Sequence, residues 1–100
     1  MGRIRVDPQA WLDLLVISDY LTEVAKNRRA AHRLAEEFDR KCEVYARQPG
    51  MGDLREDLGE NLRSFTFRRW YVAVYRPLDD GVDVLRVFDG RSDYGRFFAE

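Results

Sequence analysis

Apolar residues recur along the first half of the chain at spacings of three and four. Ala10, Leu14, Ile17, Leu21 and Val24 form one such series, and Trp11, Leu15 and Ala25 widen it. That period predicts an amphipathic helix over residues 8–26 with a broad buried face. Asp7-Pro8 is its start, an acceptor at the N-cap followed by proline in the first turn. Asn27 breaks the pattern. A second series follows, with Ala31, Leu34, Ala35, Phe38, Cys42 and Tyr45 on one face and Arg33, Glu36, Glu37, Arg40 and Glu43 on the other. It predicts a helix over 28–47. So short a link between two long helices predicts an antiparallel hairpin.

The period then drops to two. Pro49-Gly50-Met51-Gly52 stops the second helix, and residues 53–61 are polar and without a clear period. Ser64, Phe65, Thr66 and Phe67 alternate, Arg68-Arg69 makes a tight connection, and Trp70 to Arg76 is a strand rich in aromatics and valine. Asp79-Asp80-Gly81 reads as a hairpin turn with glycine at a positive-φ position, and Val82 to Phe88 as the next strand. Ile4 to Val6 is a short β-branched first strand, and residues 92–100 form a short C-terminal segment. The order is strand, two helices, then a meander of strands. The apolar face of the hairpin has to be buried against one face of the sheet, which gives a two-layer α+β fold. A chain of 100 residues is read as one domain, residues 1–100.

Charge changes the picture in kind more than in amount. The net charge is −1, but 15 of the 17 basic residues are arginine, the side chain suited to bidentate contacts with carboxylate or phosphate. A near-neutral total argues against broad nucleic-acid binding, so no direct sequence-specific nucleic-acid contact is expected. Cys42 and His32 each stand alone, which leaves no disulfide and no metal or cofactor to expect. No signal peptide precedes Pro8, and no apolar run reaches the roughly 20 residues of a membrane span. A soluble cytoplasmic protein is therefore expected.

Several short pieces, in order, resemble a ParE toxin of the RelE/ParE superfamily. They are Ala10-x-x-Asp13-Leu14-x-x-Ile17-x-x-Tyr20-Leu21, Pro49-Gly50-Met51-Gly52, Leu62-Arg63-Ser64-Phe65, Tyr71 to Arg76, Val84 to Val87, and Gly90-Arg91-Ser92-Asp93. Asp89 departs from the pattern, since many relatives have histidine before the glycine. The resemblance implies a RelE/ParE-like fold with the first strand beside the last and a mainly antiparallel sheet. It implies the toxin half of a type II toxin–antitoxin system of the plasmid-stabilisation kind, neutralised by a ParD-like antitoxin and inhibiting growth through DNA gyrase. The sister RelE branch is the alternative, a ribosome-dependent mRNA endoribonuclease.

Ribonuclease chemistry needs cations around a transition state and a group to activate the ribose 2′-hydroxyl. Where RelE-like nucleases place an arginine after Tyr71, this chain has Val72, and it ends on Phe97-Phe98 rather than tyrosine or histidine. A binding toxin, not a catalyst, is the expectation. Arg68 and Arg69 at their turn, with Arg91 and Tyr94, are the candidate target-binding residues. Lys26, Arg28, Arg29 and Arg33, clustered at the hairpin tip, are the candidate antitoxin-binding residues. His32 reads as a surface residue, Cys42 as a small core residue, and Trp11, Leu14, Leu21, Phe38 and Tyr45 as hairpin packing. Arg91 and Asp93 are a candidate structural pair, and Asp79, Asp80 and Asp83 belong to a turn rather than a metal site.

Overall fold

The structure, a computed structural model, describes residues 2–92 and Gly95. Strand β1 (Arg3–Val6) leads into helix α1 (Pro8–Asp19), a single π-helical stretch (Tyr20–Val24) and helix α2 (Arg28–Arg47). Then come β2 (Asp53–Leu54), β3 (Arg63–Phe67), β4 (Tyr71–Leu78) and β5 (Gly81–Asp89). The sheet order is β1-β5-β4-β3-β2. Among the described strands only β1 and β5 pair in parallel, with Arg3 opposite Gly81 and Val6 opposite Val84. The two helices pack on one face, so the architecture is α+β with the first strand beside the last, as expected. The C-terminal segment lies outside the described residues apart from Ser92 and Gly95.

Local chemistry sets the helix ends. The Asp7 carboxylate accepts the Gln9 N–H at 2.8 Å with Pro8 just inside the helix, and the Asn27 side chain caps α2 by accepting the Ala30 N–H at 3.0 Å. The first helix does not run on as a plain α-helix to residue 26. Its last turn widens, with the Ala25 N–H reaching back to the Tyr20 carbonyl at 3.0 Å. Lys26 then takes a φ of 55° and reverses the chain.

The core lies between the helices and the sheet. Ala10, Leu14, Leu34, Phe38, Cys42 and Ala46 meet Phe65, Phe67, Ala73, Tyr75, Val82, Val84 and Val87. Phe38 is 2% exposed and its ring lies 5.5 Å from that of Phe67. The broad buried face expected of the first helix is narrower than its sequence implies. Trp11, Leu15, Val24 and Ala25 are exposed, because only the Ala10–Leu14–Ile17–Leu21 line points at the sheet. The other sheet face carries a smaller cluster. Leu58, from the stretch with no clear period, and Leu62, just after it, cover Val72, Val74 and Phe88.

Two polar ties fix the layers. The Asp13 carboxylate on α1 accepts from Arg86 Nε at 2.8 Å, from Arg86 Nη2 at 3.1 Å and from the Val87 N–H at 2.9 Å. The Tyr75 hydroxyl, fully buried, donates to the Pro49 carbonyl at 2.6 Å and accepts the Gly52 N–H at 3.0 Å. Burial raises the Tyr75 pKa, so this hydroxyl stays protonated as that network requires. Gly81 is not a positive-φ turn residue as expected. It sits in β5 against the Arg3 backbone, where a Cβ would collide, so close strand approach requires the glycine.

Candidate functional site

The helical hairpin carries a groove on its outer side. Three adjoining depressions of about 830, 370 and 360 Å³ share residues end to end. Ser18, Ala31 and Ala35 join the first to the second, and Trp11, Phe38 and Asp39 join the second to the third. Small side chains at 18, 31 and 35 keep the floor low, while Trp11 and Leu15, both more than half exposed, make an apolar wall. Arg28, Arg29 and Arg33 surround one end; Asp39 and Glu43 mark the other, beside Ile4 and Val6 of β1. Of the four expected antitoxin contacts, the structure brings these three arginines together around the groove. Lys26 is exposed in the turn and does not line it. His32 lies at the same end, exposed, with Nε2 3.9 Å from Glu36.

A second constellation forms at the β3–β4 connection. Arg68 and Arg69 have φ of 49° and 78°, a left-handed backbone that β-carbon-bearing residues rarely take. Glu37 of α2 holds the turn by accepting the Arg68 N–H at 2.9 Å. Trp70 belongs to this turn rather than to the strand. Arg69 lies 5.5 Å and Arg91 4.7 Å from its ring centroid, both within cation–π range. Arg91 is fixed by Asp89, with Nε at 3.0 Å and Nη2 at 2.7 Å. That contact is the leading cause both of the lowered Asp89 pKa and of the raised Arg91 pKa. Behind the turn, a cleft of about 530 Å³ is lined by Leu21, Ala30, Glu37, Arg68, Arg69, Trp70 and Tyr71.

Of the four expected target-binding residues, Arg69 and Arg91 thus converge on one indole, and Arg68 lies in the same turn and lines the cleft behind it. Tyr94 lies outside the described residues, as do Asp93, Arg96 and the Phe97-Phe98 ending. Trp70 itself, Glu37 and Tyr71 escaped the sequence reading, because a tryptophan beside a valine-rich strand looks like core. The exposed wall of the groove did leave a signal. Trp11, Leu12, Leu14, Leu15, Val16 and Ile17 are too many apolar residues for a helix with one buried side.

The cationic cluster can bind anions and stack, but its acids are engaged. Asp89 is held by Arg91, and Glu37 holds the Arg68 N–H. Burial raises the Tyr71 pKa, which keeps its hydroxyl from serving as a base near neutrality. Val72 is buried on the opposite sheet face against Leu58, Leu62 and Phe88. Among the described residues no group of three acids, histidines or cysteines is placed to hold a metal ion, and no helix is long and apolar enough to cross a membrane.

Residues 4–94 match the family model described as the ParE toxin of the type II toxin–antitoxin system parDE. No curated protein matches. Among solved structures, a chain of the chromosomal ParDE TA system from P. aeruginosa is similar at a TM-score of 0.72 and 20% identity, covering 89% of this chain and 96% of that one.

Proposed function

Because this chain belongs to the ParE toxin family of type II toxin–antitoxin systems, we propose that it arrests growth by binding DNA gyrase in the cytoplasm, and that a ParD-like antitoxin neutralises it from the hairpin groove. The observation that carries the antitoxin half is the groove itself. It is apolar, small-floored, exposed, basic at one end and acidic at the other. From Arg28 to Glu43 it spans roughly 23 Å at the α-helical rise, room for about four turns of an amphipathic helix. An acidic end of that helix belongs against Arg28, Arg29 and Arg33, and a basic end against Asp39 and Glu43.

Support for a binding rather than cutting toxin comes from the hairpin cluster. Its acids are tied to neighbours, Tyr71 is held protonated, and the residue after Tyr71 faces the other way. The test is induced expression without antitoxin. Filaments, an SOS response and gyrase recovered with the toxin are expected. Cut messages on ribosomes with intact DNA would replace this reading with the ribonuclease one.

A further inference from the structure

Helix α1 exposes a second apolar line besides the groove wall. Leu12, Val16 and Tyr20, four residues apart, stack along one side of the helix and are 54%, 67% and 57% exposed. Each groove-side residue, Trp11 or Leu15, lies one position back, about 100° around the axis. The line is on the far side of α1 from α2. Asp13, next to Leu12, reaches down to Arg86 of β5 on that side. A helix seated in the groove touches Trp11 and Leu15 and leaves Val16 and Tyr20 bare.

The line ends at the arginine hairpin. Leu21, the residue after Tyr20, lines the cleft with Trp70 and Tyr71. Tyr20 is also near enough to Arg91 and Tyr71 to act on the ionisation of both. One surface therefore runs from an apolar ridge of about 12 Å, at 1.5 Å per residue, into the Arg69–Trp70–Arg91 cluster. Exposed apolar surface of this kind marks an interaction site.

We infer that the Leu12–Val16–Tyr20 ridge and the Arg69–Trp70–Arg91 cluster form one target-docking face, separate from the antitoxin groove, that takes a protein segment with an apolar strip running into carboxylates. The inference rests on the reading of this chain as a target-binding toxin. A nucleic acid is the poorer occupant, since the ridge carries no cation to meet phosphates. A second copy is also poorer. Ridge against ridge would place each arginine cluster beside the partner's Leu12 end, where the Asp7 and Asp13 carboxylates already hold Gln9 and Arg86.

Three surface variants of the full chain test this, each checked for an unchanged melting temperature. Growth arrest is read after induction without antitoxin, and affinity by titration with the purified cognate antitoxin. Val16→Glu and Arg69→Glu are expected to abolish arrest while antitoxin affinity stays within about twofold. Leu15→Glu is expected to weaken the antitoxin by about tenfold or more and still arrest growth. Arrest by Val16→Glu at the wild-type level overturns the inference, as does its persistence alongside loss in Arg69→Glu, which would leave the cluster acting alone on an anion. Loss of antitoxin affinity in Val16→Glu overturns it too, by assigning the ridge to the antitoxin. A wild-type chain that binds antitoxin but never arrests growth removes the target reading itself, and the inference with it.

Discussion

The Cys42 thiol is 1% exposed, on α2 one turn from Asp39 and next to Glu43. Burial first, then those two carboxylates, push its pKa up to about 12. In the unfolded chain a thiol ionises near 8.5. Between those values the folded state binds more protons than the unfolded one, so stability falls as pH rises, by at most about 1.4 kcal/mol per pH unit. The raised pKa values of Tyr71 and Tyr75 act in the same direction at higher pH. Urea midpoints from pH 8 to 11 should therefore fall more steeply for the wild type than for Cys42→Ala. Equal slopes would mean that the thiol ionises freely in the folded chain. The core role of Cys42 was readable from its place in the periodic series. Its neighbours' charges were readable too, but their effect depends on burial, which a sequence shows only as a pattern.

Among the elements, α2 was legible from end to end, because its apolar and charged faces are cleanly opposed and Asn27 and Pro49 bracket it. Helix α1 was legible in position but not in orientation. Its hydrophobic residues occupy several faces, and only the sheet decides which line is buried. The two-residue β2 has no period to detect, and pairing with β3 creates it. Gly81 showed as a break, though its reason is the approach of β1 from a distant part of the chain. The β3–β4 turn inverts that case: two arginines hold a conformation that glycine favours. Arg69→Gly should relieve the strain and stabilise the protein by about 1 kcal/mol, while growth arrest is lost with the cation. A variant less stable than wild type in thermal melts would show that the Arg69–Trp70 contact outweighs the backbone strain.

At the scale of the whole molecule, charge lies unevenly around a nearly neutral chain. Sequence alone placed Arg28, Arg29 and Arg33 at a tip. Only the fold shows that an apolar channel begins there and ends between Asp39 and Glu43. Reversal by Arg29→Glu with Arg33→Glu should slow antitoxin association more than it speeds dissociation, most clearly at low salt, with little change in the melting point of the free toxin. Stopped-flow mixing at two ionic strengths measures both rates; an unchanged association rate would leave the channel's shape to account for binding. The ParE-like motif pieces prove largely architectural: Asp13 ties to Arg86 and Val87, and Tyr75 to the 49–52 turn. Those ties and the β1–β5 ladder join the two ends of the chain. A ribosome adds roughly 5–20 residues per second, so β1 waits several seconds for residues 81–84 to be made, and it then closes a loop of high entropic cost. A half-made chain has no completed sheet and no Asp13–Arg86 clasp. The two-layer fold is complete only once β5 has left the ribosome, whereas the α1–α2 hairpin that carries the groove is synthesised well before it.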